Sequence, residues 1–279
     1  MLRLRVASAA VLIPVVLVVF AVGQPWLTLL IALVTALAGW EAAALLRQAG
    51  FRAARLLVPA IALGFVAVAW WTPSEERLWM LAIGVALIVP AFAGLARPEP
   101  REGFQAWMAT AFGGVYAGLL AFLVAISLHG PPLGSDPPIG NALDPGRAWL
   151  LALVLTVWSF DTLAYVVGRA YGRRPFLAHI SPSKTWTGVV GGTVGAIGVA
   201  ALCLWAFGRN PALGLVLGLL IAVAAQVGDV SESMLKRAAG AKDSGRLIPG
   251  HGGVLDRVDS IVFAAPAMYL FLILFSPFL

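Results

Sequence analysis

Asp161, Asp229, Asp256 and Asp259 stand in or beside apolar runs of a chain that is only 11% charged. A carboxylate at membrane depth is costly, so each of the four is a candidate for function. Around them lie Lys184, Lys236, Arg237, Lys242, Arg246 and Arg257. No paired His or Cys set accompanies the aspartates, which argues against zinc. It favours a hard cation with oxygen ligands, most simply Mg²⁺, which takes one or two carboxylates together with substrate phosphates. The interleaved cations would then neutralise phosphate oxygens. Metal and cations at a water-poor boundary suit phosphoryl or nucleotidyl transfer, where catalysis is mostly positioning and charge stabilisation. Neither a Walker A loop nor a G-x-G-x-x-G turn after a strand is present in the sequence, so the two common soluble nucleotide cradles do not apply.

The richest stretch is Ser231 to Asp259. Asp229 closes an apolar run, and Ser233 and Lys236 follow four and seven residues later, so a continuing helix puts all three on one face. Gly240, Gly245, Pro249, Gly250, Gly252 and Gly253 then predict a loop whose backbone can approach a ligand closely. His251 in that loop is either a phosphate contact or a loop residue, and Asp243 beside Lys242 either a ligand or a salt-bridged carboxylate. Asp256 and Asp259, three apart at the start of the last apolar run, can face inward together.

A second polar patch precedes it. Asp161, Tyr165 and Gly168 share a helix face within an apolar run, with a structural pairing of Asp161 to Arg169 or Lys184 as the alternative to a site role. Ser181, Lys184 and Thr185 lie just ahead of the next span. Helix N-terminal amides, a lysine and hydroxyls make an anion site, although turn plus helix cap is the commoner meaning of S-P-S-K-T. Gly188, Gly191, Gly192, Gly195 and Gly198, then Gly214 and Gly218, are spaced for close helix packing.

The elements that must position these groups are membrane helices. A 279-residue chain with 61% hydrophobic residues and a mean hydropathy of +0.93 exceeds what a soluble domain carries. Apolar windows predict an all-α, polytopic protein with about nine spans: 6–22, 26–46, 57–71, 78–96, 104–127, 148–168, 187–208, 213–230 and 260–277. The first window follows Arg3 and Arg5 and is longer than a secretory signal core, so it reads as an uncleaved anchor. With the N-terminus cytoplasmic, Arg77, Arg147 and Arg209 alone of the nineteen Lys and Arg fall outside. That bias sets the C-terminus outside and the charged loops in the cytoplasm. The net charge of +6 thus reflects topology, and nucleic-acid binding is a poor reading of it. The lone Cys203 permits no internal disulfide.

Chemistry-bearing residues divide the chain into two regions. Residues 1–147 are five scaffold spans whose one deep carboxylate, Glu41, reads as a snorkelling or helix-paired group near the inner interface. Residues 148–279 are four spans plus cytoplasmic loops and hold the candidate catalytic set. The glycine-rich interfaces permit a homodimer without requiring one.

The run Ser233, Lys236, Arg237, Lys242, Asp243, Gly245, Pro249, His251, Gly252, Gly253, Asp256, Arg257 and Asp259 resembles the signature of the phosphatidate cytidylyltransferases (CDP-diacylglycerol synthases). Asp161, Ala164, Tyr165, Gly168 and Arg169, then Ser181, Pro182, Lys184, Thr185 and Gly188, are similar to a second block of that family, and Glu41 after Trp40 to a further feature. Ser183 and Thr187 depart from the pattern, and no role is carried onto them. The resemblance implies that CTP and phosphatidic acid give CDP-diacylglycerol and pyrophosphate with Mg²⁺, and allows a second cation. It points to Asp229 and Asp256 as metal ligands, with Asp161 and Asp259 as polar supports or nucleotide contacts. Lys184, Lys236, Arg237, Lys242 and Arg257 would hold phosphates, and Ser181, Thr185 and Ser233 would donate hydrogen bonds to substrate. Membrane lipids are the other expected partners, and the inner (plasma) membrane, with the site facing the cytoplasm, the expected location. A cytidylyltransferase acting on an ether-linked or polyprenyl phosphate is the nearer alternative. A cation-coupled transporter also uses intramembrane carboxylates and broken helices, but the two halves show no matching interruptions and the charge gathers near one face.

Overall fold

The computed structural model describes residues 2–71, 76–140 and 142–278, apart from the side chains of residues 2–7, 9 and 76. The side chains of Arg3 and Arg5, counted above toward the inner side, therefore lie outside the described residues. Helices account for the named elements, and no strand occurs among the described residues. In chain order they are α1 (Leu2–Val22), α2 (Trp26–Gln48), α3 (Leu57–Trp71), α4 (Glu76–Leu95), α5 (Pro100–Gly118), α6 (Ala121–His129), α7 (Pro145–Tyr171), α8 (Trp186–Ala206), α9 (Gly214–Ala238) and α10 (Leu255–Phe275).

Each predicted window falls on helix. Among the described residues, seven helical segments are long and apolar enough to cross a membrane, α5 and α6 counting as one, while Ala10–Val22 and Leu57–Trp71 are shorter. Large apolar side chains such as Leu29, Val194, Leu219 and Ile273 are about half exposed or more. In water that surface would be a liability, and against acyl chains it is the favoured one.

The helices differ from the windows at the ends. α9 runs on to Ala238, past the apolar limit at 230, and α10 begins at Leu255, ahead of 260. Hydropathy marks where the bilayer stops favouring a residue, not where backbone hydrogen bonding stops, so the polar turns escape a hydropathy window. The window 104–127 is broken between α5 and α6. Gly113, Gly114 and Gly118 lead into the break, where the low helix propensity of glycine weakens the helix; a Cβ on Gly118 would meet the Phe65 ring at 2.6 Å.

Two compact units make up the chain. The first comprises Met1–Val124 and Leu235–Val258; the second, Ala125–Met234 and Asp259–Leu279. In the first, α2, α3 and α5 pack on one another around Ala38, Ala42, Val58, Ala62 and Ala69, all fully buried. In the second, α7 packs closely on α8. Gly188 and Gly192 permit this approach, since a Cβ there would come within 2.6 Å of Ala164 O and 2.7 Å of Phe160 O. Gly198 faces open space and takes no part. The division at residue 147 drawn from the sequence rests on where ionisable groups fall, which is a different criterion from contact.

Candidate active site

In the second unit, the chain leaving α7 turns back on itself before α8 begins. Phe176 N–H donates to Lys184 O at 2.7 Å and Trp186 N–H to Arg174 O at 3.1 Å. The Phe176 and Trp186 rings meet edge to face with centroids 4.7 Å apart. Ser181 lies in the turn, half-buried, where Lys184 N–H donates to its carbonyl at 3.3 Å. Thr185 then caps α8, its Oγ1 accepting from Gly188 N–H at 3.2 Å. Clamped on both sides, Lys184 extends to the carboxylate of Asp229 on α9, and the two form an ion pair with 20% and 29% of their side chains exposed.

That pair lines a cavity of about 530 Å³, together with Asp161, Tyr165, Gly168, Arg169, Thr185, Gln226, Asp259 and Ser260. Asp161 accepts from Ser260 Oγ at 3.3 Å, a partner outside the expected pairing with Arg169 or Lys184. Arg169 instead donates to Tyr165 Oη at 2.7 Å, one turn earlier on α7. Ser233 Oγ lies 3.4 Å from Asp229 Oδ1 along α9, as their spacing predicts. The arrangement is an amphoteric pocket in an apolar unit, with three carboxylates, an ammonium and a guanidinium, suited to a phosphorylated ligand that brings a cation.

The first unit holds the other half of the signature. α9 stops where Gly240 adopts φ +63, a left-handed conformation that favours glycine at a helix C-terminus, and Ala241 N–H closes on Lys236 O at 2.9 Å. Ahead of it, Lys236 Nζ reaches Asp256 Oδ1 at 2.7 Å, the side chains 15% and 5% exposed. Asp256 Oδ2 accepts from the N–H groups of Ser244 and Gly253, each at 2.8 Å. Ser244 Oγ lies 2.9 Å from Asp256 Oδ2 and 2.9 Å from Glu41 Oε2.

Glu41 is therefore not a snorkelling group, and the helix it pairs with is the start of α10, through backbone amides. It is 6% exposed and takes Val254 N–H on Oε1 at 3.1 Å and Leu255 N–H on Oε2 at 2.8 Å. These amides open α10, so a carboxylate from α2 satisfies donors that a helix start leaves unpaired, and does so at its positive end. A Cβ on Gly245 or Gly253 would run into the Glu41 carboxylate, which accounts for glycine at both places. The tip of the loop closes through Ile248 N–H to Gly252 O at 2.9 Å, and His251 Nδ1 meets Ser8 Oγ at 2.8 Å.

Arg237, Lys242, Asp243 and Arg257 lie on exposed positions of this unit. Sequence reasoning passed over Gln226 and Ser260, both nearly buried at the cavity wall. Gln226 had a legible signal, a lone amide three residues before Asp229 in an apolar run; Ser260 had none.

The comparisons with known proteins agree with this chemistry. The pattern of the Cytidylyltransferase family matches residues 3–275. A phosphatidate cytidylyltransferase of Brucella abortus is 37% identical over 208 residues, covering 71% of this chain and 73% of that protein. One from Synechocystis is 42% identical over 160 residues, 55% of this chain and 54% of its own length. A chloroplastic one of Arabidopsis thaliana is 39% identical over 208 residues, 69% of this chain and 52% of its own. A match running almost from end to end, over a chain of this membrane-helical build, means that the protein belongs to the cytidylyltransferase family.

Proposed function

We propose that this protein is a phosphatidate cytidylyltransferase that condenses CTP with phosphatidic acid to CDP-diacylglycerol and pyrophosphate. The observation that carries the reading is the Lys184–Asp229 pair in a cavity that also holds Asp161, Arg169 and Asp259 between apolar helices. The named activity of the relatives supports it. In the proposed reaction an oxygen of the lipid phosphate forms a bond to the α-phosphorus of CTP. The α–β bridge breaks, and pyrophosphate leaves with the bridging oxygen. The attacking phosphate monoester is largely ionised near neutral pH, so no side chain need remove a proton.

Asp229 and Asp256 are the carboxylates proposed for Mg²⁺. Among the described residues no three His, Cys, Asp or Glu side chains converge as a ready-made cage. An all-protein cage is not what Mg²⁺ needs, because it commonly takes one or two carboxylates with phosphates and water. Oxygen donors that already face an ammonium fit a hard cation. The chemistry the ion supplies when bound is neutralisation of phosphate charge. Lys184 and Arg169 are proposed to hold phosphate oxygens, and Asp161, Gln226 and Asp259 to orient polar groups of the substrates; Lys236 is the corresponding cation beside Asp256. The site is proposed to face the cytoplasm from the inner membrane, where CTP is available, consistent with the bias of Lys and Arg.

Isotope placement tests this. Label at the α-phosphate of CTP should enter the lipid fraction when phosphatidic acid is present, and label at the γ-phosphate should stay in water. Transfer of the γ label to lipid, or of the α label to a polyprenyl phosphate in preference, would refute the assignment.

A further inference from the structure

We infer that Glu41, on a helix remote in sequence from the signature, is the positioning residue for Asp256. The inference rests on the reading of Asp256 as a metal-binding carboxylate. Three donors from the loop and the helix start that follows it end on the Glu41 carboxylate: Ser244 Oγ at 2.9 Å, Val254 N–H at 3.1 Å and Leu255 N–H at 2.8 Å. The first of these, Ser244, also gives its backbone N–H to Asp256 Oδ2 at 2.8 Å and takes Asp256 N–H on Oγ at 3.2 Å. Leu255 immediately precedes Asp256, so fixing its amide fixes where α10 starts. Glu41 thus grips both sides of Asp256, the loop before it and the helix turn that carries it.

The loop needs anchors of this kind, which also include the Lys236–Asp256 pair and the His251–Ser8 contact. Between Gly240 and Gly253 it contains five glycines and Pro249, and its tip is joined by the Ile248–Gly252 bridge. A glycine-rich segment has many conformations to lose on ordering. The carboxylate supplies the ordering from a position that water hardly reaches, where hydrogen bonds to charge are strongest. Gly245 and Gly253 fit the same account, since their lack of Cβ makes room for the Glu41 oxygens. The role therefore assigned to Glu41 is to hold Asp256 at its working position.

The test compares Glu41→Ala, Glu41→Gln and wild type as full-length protein in detergent. Hydrogen exchange is followed at Val254 and Leu255, first without Mg²⁺ or substrate and then through a Mg²⁺ titration. In Glu41→Ala both amides should exchange about tenfold faster or more, since buried donors lose their acceptor. The Mg²⁺ midpoint for protection of residues 244–256 should rise about tenfold or more, the usual scale for losing a residue that orients a metal ligand. Glu41→Gln keeps the volume and one acceptor oxygen, so it should fall between, and it carries the test where Glu41→Ala does not fold. Wild-type exchange at both amides in a folded variant, or faster exchange with an unmoved Mg²⁺ midpoint, would overturn the inference. Neither readout uses turnover: a wild type inactive on CTP and phosphatidic acid removes the proposed function, while the exchange and Mg²⁺ shifts still decide the part played by Glu41.

Discussion

The ammonium of Lys236 sits 2.7 Å from Asp256 Oδ1, and the two side chains are only 15% and 5% exposed. Asp256 also receives two backbone N–H groups. A carboxylate this enclosed depends on its partners, because removing one member of a buried pair leaves an uncompensated charge. Lys236→Met should therefore destabilise the protein by roughly 3 kcal/mol. Adding Asp256→Asn should recover part of that loss. Thermal unfolding of the two variants in detergent checks both statements; an unchanged midpoint for Lys236→Met would show the pair to be energetically idle.

Asp229→Asn and Asp256→Asn should each remove turnover in protein that still folds, since each takes away a charge proposed to bind Mg²⁺, with Asp256→Asn the less stable of the two because Lys236 loses its partner. Size-exclusion behaviour and helical content report folding, and product formation reports the chemistry. Near-wild-type rates in either variant contradict the ligand assignment.

Lys184→Ala should act on substrate more than on fold. Its loss should raise the KM for CTP about tenfold, equivalent to about 1.4 kcal/mol. A steady-state series in CTP at saturating lipid decides it, and a wild-type KM would leave Lys184 as a structural partner of Asp229 alone.

Helix contact in the second unit gives a paired prediction. Gly188→Ala places a methyl 2.6 Å from Ala164 O and should cost about 1–3 kcal/mol. Gly198→Ala meets nothing within 4 Å and should be neutral or stabilising by up to about 1 kcal/mol, because alanine is the better helix former. Thermal unfolding of the two side by side separates packing from a general intolerance of substitution in α8.

Much of this was legible from residue types. Hydropathy located the helices, and the spacing of Asp229, Ser233 and Lys236 put them on one face on the condition, met in the structure, that α9 runs beyond its apolar part. The cap at Thr185 and the loop after Gly240 also follow local rules. Partnerships between distant residues were a different matter. Glu41 meets Ser244 and Leu255 across more than two hundred residues. A carboxylate in an apolar run signals that some partner exists, not which one. The pairing of Lys184 with Asp229, chosen over Asp161, likewise depends on how the turn before α8 aims a flexible side chain.

Side assignment can be examined independently of catalysis. Ser135 and Ser183 are both exposed and lie on loops predicted to face opposite sides. Single cysteines there, with buried Cys203 as background, should react with an impermeant thiol reagent from opposite faces of sealed vesicles. Labelling of both from the same face would contradict the predicted orientation.

The central claim is tested most directly by product stoichiometry. Purified protein is mixed with CTP, phosphatidic acid and Mg²⁺ in detergent micelles, and CDP-diacylglycerol and pyrophosphate are quantified together. Equal amounts of the two, abolished by chelating the Mg²⁺ and absent in Asp229→Asn, are the predicted result. Folded wild-type protein that forms no CDP-diacylglycerol, or releases pyrophosphate without it, would contradict the account.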